Sequence, residues 1–147
     1  MNGSRFAAVL ILALAVGGCD LMQARTATRS TCRVTKCDVA VTIANGVPVF
    51  APDELEIAGA HNVHIFWTLP PGYEFDRSKG DGVYLKGAND GEFSEMFPTD
   101  DENENPAQAN GPARRYHWRD ANSRPNPIPY KYKIQFRKNG TSARFCD

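Results

Sequence analysis

The chain has little of several things that usually announce a function. Its only long apolar run, Phe6 to Val16, lies near the start, and from Phe6 to Cys19 the chain is uncharged. That run is shorter than the ~20 residues a bilayer-spanning helix needs, and no later stretch offers a substitute. Net charge is absent as well: 17 Lys and Arg balance 17 Asp and Glu. The neutral total argues against a nucleic-acid partner, because binding phosphates draws on a basic footprint. Beyond residue 19 no window repeats apolar residues at helical spacing. Common catalytic patterns are missing too. There is no Gly-x-Ser-x-Gly, no cysteine with a His and Asn arrangement, and no zinc-type spacing. Cys32 and Cys37 stand four residues apart, too far for a two-residue redox motif. These absences assign no catalytic residue, no metal ligand and no resident cofactor, and they favour a binding module over an enzyme.

What is present begins with the segment Val16-Gly17-Gly18-Cys19, which closes the apolar run behind a short start carrying Arg5. Small residues at 17 and 18 allow a peptidase to hold the extended backbone, and Cys19 brings a nucleophilic thiol. The segment resembles the lipobox of bacterial lipoproteins. That resemblance implies that residues 1–18 are a signal peptide and that Cys19 takes a diacylglyceryl thioether as the first mature residue. The chain would then be held to a membrane by its N-terminal lipid, facing the periplasm. Asp20 resembles a signal for retention at the inner membrane of enteric-type bacteria, while other lineages read other positions, so inner and outer membrane both stay open. Residues 19–36 hold Arg25, Arg29, Arg33 and Lys36 among Ala, Thr and Ser. This composition reads as a basic tether, either resting on anionic headgroups or acting as a passive leash.

Of the four cysteines, lipidation of Cys19 leaves Cys32, Cys37 and Cys146, which make at most one intramolecular bond. The favoured pairing is Cys37 with Cys146, fastening the first strand of the domain to the last. Such a long loop is worth roughly 4 kcal/mol by chain entropy. Cys32 with Cys37, a small local loop, is the alternative. The third thiol is left free or linked to another chain.

From residue 37 the period is two. Cys37, Val39, Val41 and Ile43 share one face, and Asn45-Gly46 is a hairpin signal. Short strands follow at Val47–Phe50 and around Leu55 and Ile57. In the run 61–69, Val63, Ile65, Trp67 and Leu69 share a face while Phe66 lies on the other, so this strand is expected to be central. Val83–Leu85 and Tyr116–Trp118 are brief strands. Tyr130, Tyr132, Ile134 and Phe136 point inward from the cleanest strand, which Asn139-Gly140 turns into a last one ending at Cys146. Roughly seven to nine strands separated by turns predict an all-β domain over 37–147, a Greek-key sandwich of two packed sheets.

The early alternating strand, the Pro52-Asp53-Glu54-Leu55-Glu56-Ile57 segment, Ile65-Phe66-Trp67 and Tyr130-Lys131-Tyr132-Lys133 together resemble a cupredoxin-type sandwich, with an immunoglobulin-like one as the near alternative. The resemblance implies a framework and not copper. A blue-copper site needs one Cys and two His with a weak axial ligand, whereas no His follows His117 and only Asp147 follows Cys146. His61 and His64, three apart in a strand, project to opposite faces. His117 reads as a strand residue with a satisfied ring. Asp100 to Asn105 supplies oxygens for a calcium alternative but lacks the spacing and glycine of a calcium loop.

Charge is unevenly spread. Residues 87–113 carry seven acids and no Lys or Arg, and residues 114–147 carry nine bases against two acids. One reading makes the 87–114 segment, with the aromatic stretch Tyr73 to Phe75, a surface for a periplasmic protein partner. The other lays the acids over basic strands of the same domain. The resulting expectation is a lipid-anchored periplasmic binding module, with metal handling (degenerate copper or calcium) as the alternative.

Overall fold

A computed structural model describes residues 28–87, 90–101, 111–124 and 129–146. Residues 1–27, with the expected signal peptide and Cys19, lie outside them. The chain forms strands β1 (Arg29–Cys32), β2 (Lys36–Ala44), β3 (Val47–Ala51), β4 (Glu54–Ile57), β5 (Val63–Thr68), β6 (Tyr73–Glu74), β7 (Gly82–Leu85), β8 (Phe93–Pro98), β9 (Arg115–Asp120), β10 (Tyr132–Lys138) and β11 (Arg144–Cys146). One single-turn 3-10 helix spans Arg77–Lys79. The all-β sandwich expected from the alternation is what forms.

One layer is a five-stranded sheet in the order β3-β2-β5-β9-β8. Asn45 and Gly46, both at positive φ (53° and 78°), close the β2–β3 hairpin, as a tight turn between twisted strands requires. Strand β5 then runs parallel to β2 and antiparallel to β9, the central place that Phe66 foretold. In the opposite layer β10 pairs antiparallel with β11, β6 and β7. A third, small sheet joins β1 to β4 in parallel.

Aromatic rings fill the space between the layers. Tyr132 of β10 meets Trp67 (5.4 Å between ring centres), Phe50 (5.9 Å) and Trp118 (6.4 Å) of the facing sheet. The Trp118 indole donates to the Val83 carbonyl of β7 at 3.2 Å, so one side chain both fills the core and ties the layers together. Under the second sheet, Asp81 is fully buried and receives both arms of Arg137, with Arg144 at 3.5 Å. This fastens the loop before β7 to β10 and β11.

Three expectations are corrected. The disulfide joins Cys32 to Cys37, not Cys37 to Cys146. Cys32 ends β1, Cys37 opens β2, and the bend between them brings their Cα atoms to 6.0 Å, within bonding range; the strand ending at Cys146 instead pairs with β10. By chain entropy so short a loop contributes about 2 kcal/mol. Residues 28–32 are not part of a tether: Thr28 donates to Asp53 and accepts from the Glu54 amide, and β1 continues beside β4. Finally, 87–114 is not one excursion, because Phe93–Pro98 is a paired strand with Phe93 and Phe97 buried.

The acids of that segment pair inward. Glu92 accepts from the Ser123 hydroxyl (2.6 Å) and amide (3.0 Å) and lies 3.4 Å from Arg124. Asp90 pairs with Arg124 and with the Tyr130 hydroxyl. Asp100 accepts from the Arg114 amide at 2.9 Å. Asp90 and Glu92, ahead of β9, thus neutralise Arg124 after it, in the sense of the second charge reading. Two predictions follow from these contacts. A Cβ at Gly82 would stand 3.0 Å from the buried Tyr116 ring, so Gly82→Ala should cost about 1–3 kcal/mol in urea unfolding. The Ser123 hydrogen bonds hold the Glu92 carboxyl below its usual range. A depressed folded-state pKa gives stability that is full above roughly pH 4.3 and is lost as pH falls through the lowered value. Glu92→Gln should therefore melt lower than wild type at neutral pH, and the gap should narrow in thermal melts as the pH is taken below about 4.3.

Candidate functional site

The face of the five-stranded sheet that points away from the aromatic core carries an unusual set of side chains. In the β5–β9 ladder Phe66 lies opposite His117 and His64 opposite Arg119. Since Val63, Ile65, Trp67, Tyr116 and Trp118 go into the core, alternation sends His64, Phe66, His117 and Arg119 to the other side. His64 and His117 are diagonal neighbours across the two strands, a distance that long side chains bridge. Their rings stack with centres 5.0 Å apart, and His64 Nδ1 lies 2.9 Å from His117 Nε2. Phe66 and Phe97 pack on the His117 ring at 4.9 Å and 5.1 Å. The Arg115 guanidinium covers Phe66 at 4.2 Å and reaches Asp38 at 3.4 Å. His117 is therefore only 4% exposed although it lies outside the main core.

Strand β8 supplies the third member. Ser94 lies opposite Arg119 and Phe97 opposite His117, so β8 carries one extra residue between them. Glu95, in this bulge, has φ 53°. A residue other than glycine pays about 1 kcal/mol or more for that left-handed conformation. The bulge turns the Glu95 carboxylate toward the two histidines. Arg119 Nη1 donates to Glu95 Oε1 at 2.8 Å, and its Nη2 donates to Asn62 Oδ1 at 3.1 Å. One donor atom from each of His64, Glu95 and His117 lies within 4.8 Å of the others.

Burial pushes the His117 pKa down to about 4; the neighbouring His64 pushes the same way and Glu95 the other. The ring is therefore neutral at physiological pH and offers lone pairs. Its Nδ1 is buried with no hydrogen-bond partner, an omission that ordinarily costs about 1–3 kcal/mol. Chemically, two imidazoles and a carboxylate converge where they can act as acceptors or as ligands to a cation.

The residues singled out in the sequence are distributed as follows. His61 lies before β5 with Nδ1 2.7 Å from the Asn122 carbonyl, apart from the cluster. His117 has one satisfied ring nitrogen, not two. Tyr73 and Phe75 are not a presented surface: Phe75 is fully buried, and Tyr73 packs on Phe136 and Phe145. Residues 102–110 of the acidic stretch lie outside the described residues, as does Cys19. The pairing of His64 with His117 and the part played by Glu95 are new. Alternation already put both histidines on the non-core phase of their strands, but nothing local says that those strands are neighbours. No protein-family model matches the sequence, and no curated protein aligns with it significantly.

A histidine kept for folding and one kept for chemistry differ in what replacement by an apolar ring does. His117→Phe removes the unpartnered Nδ1 together with the Nε2 that bonds His64, and keeps a ring among Phe66, Phe97 and His64. Its unfolding free energy should match or exceed wild type to within about 1 kcal/mol. A loss of more than about 2 kcal/mol in urea unfolding would make His117 a structural necessity.

Proposed function

We propose that this chain is a lipid-anchored binding module of a bacterial cell envelope. It is held through Cys19, faces the periplasm, and uses the outer face of its five-stranded sheet as the ligand face. Two costs that meet on that face carry the reading: His117 buried with an unpartnered Nδ1, as Trp67 Nε1 is on the core face, and Glu95 in a left-handed bulge. A sheet that needed only stability would carry an apolar ring and a glycine there. Uncompensated polar groups and backbone strain gather where a protein binds something.

Binding rather than catalysis suits the electrostatics. Proton transfer at neutral pH works best with a group titrating near 7, and His117 is held far below that. The N-terminal features support the anchoring half. A lipidated Cys19 would leave nine residues before β1, a reach of about 30 Å when extended. The cupredoxin-like or immunoglobulin-like resemblance enters as a framework only. The 87–114 segment keeps a place in the reading, because β8 within it supplies Glu95.

Anchoring is tested by expressing the full chain in a lipoprotein-processing bacterium fed an alkynyl fatty acid. Wild type should carry the label, lose residues 1–18 and sediment with membranes. Cys19→Ala should carry none and stay unprocessed. Label on the Cys19→Ala chain, or its absence from wild type, would remove the anchor.

A further inference from the structure

We infer that His64, Glu95 and His117 form a three-ligand site for a divalent transition-metal ion of the Zn²⁺ class, with a fourth position open to water or to a ligand of the ion. The inference rests on reading the outer face as the ligand face and names what that face takes.

The geometry needs little change to accept such an ion. Two nitrogens bound to one tetrahedral ion at about 2.0–2.1 Å stand about 3.3 Å apart. The His64 and His117 nitrogens are 2.9 Å apart, so opening by a few tenths of an ångström replaces their mutual hydrogen bond with two metal bonds. Glu95 is farther, within the 4.8 Å span of the cluster, and side-chain rotation on the bulge closes that gap.

The donor chemistry selects among cations. Two imidazoles and one carboxylate suit Zn²⁺ and the later first-row divalent ions. Ca²⁺ wants six to eight oxygens, and the cluster offers one carboxylate.

On the Glu95 side the surroundings resemble a prepared second shell. Arg119 holds Glu95 from behind while Asn62 holds Arg119, which orients the carboxylate as outer partners of metal ligands do. Phe66 and Phe97 wall the His117 ring and keep water from its buried side. Arg119 adds a nearby positive charge, which argues for an exchangeable ion rather than a permanently locked one.

The full chain in detergent, stripped with chelator, is titrated with Zn²⁺ by calorimetry and, in parallel, with Co²⁺ by visible absorption. Expected is one Zn²⁺ per chain and a Co²⁺ band of low-coordinate type. His64→Gln and Glu95→Gln should each weaken Zn²⁺ at least about tenfold, with circular dichroism and melting close to wild type. His61→Gln should leave binding unchanged, and Ca²⁺ in excess should not compete. Zn²⁺ held equally by wild type and the His64→Gln, Glu95→Gln double variant would overturn the site, as would loss of binding in His61→Gln. Lipid at Cys19 is read by mass in the same samples. A lipidated chain that binds no Zn²⁺ overturns the metal site alone; an unlipidated wild-type chain that binds it overturns the anchor alone.

Discussion

The β5–β9 ladder is the constraint on which both halves of this molecule depend. Its register places Ile65 opposite Trp118 and Phe66 opposite His117. On one side of the sheet that brings Trp67 and Trp118 edge to face at 4.9 Å, the centre of the packing against Tyr132. On the other side it brings His64 within hydrogen-bond distance of His117. A slip of one residue would exchange the faces, putting histidines into the aromatic core and indoles outside. The core energy that fixes the register therefore also fixes the cluster. Bringing His64 beside His117 needs no further ordering of the backbone, because the tryptophans already hold the strands there.

What was legible in the sequence and what was not follows from the range of the information. Strands β2, β5 and β10 bury one face against a core, so alternation marks them, and Phe66 on the wrong phase correctly marked β5 as central. Strands β1 and β6 carry no such signal. The Arg29–Cys32 strand buries only Cys32 and exists because β4, a disulfide and Asp53 hold it. β8 was obscured by its bulge, since the extra residue between Ser94 and Phe97 breaks the period that would have announced a strand. The same bulge aims Glu95, so the feature that hid the strand also builds the cluster. The disulfide was not legible for a related reason: spacing alone permits the long-loop bond, which would constrain the unfolded chain more, but proximity set by β1 and β2 decides the pairing.

The charge pattern was readable in kind but not in address. Acids at 90–100 and bases at 114–124 sit on neighbouring segments, and Asp90, Glu92, Glu95 and Asp100 all find partners there. Three of the seven acids thus form ion pairs inside the domain, with Arg119 and Arg124. The site departs from this economy. Glu95 pairs with Arg119, as its neighbours pair with other bases, but only Glu95 does so from a strained backbone and beside a neutral, buried histidine.

The Cys32–Cys37 bond gains meaning from the same geometry. The bend it closes presents the Thr35 carbonyl to the His64 amide at 2.8 Å, and Lys36 is the residue paired with His64 in the β2–β5 ladder. The disulfide therefore stiffens the chain directly beside the residue that begins the cluster, at the end of β5 where strands ordinarily fray. A bond from Cys37 to Cys146 would have restrained more of the unfolded chain but would have left this bend open. The short loop gives up about half of the available entropic stabilisation and in exchange immobilises the start of the strand that carries His64. Such a placement is expected where positioning of one side chain matters more than the total stability of the domain.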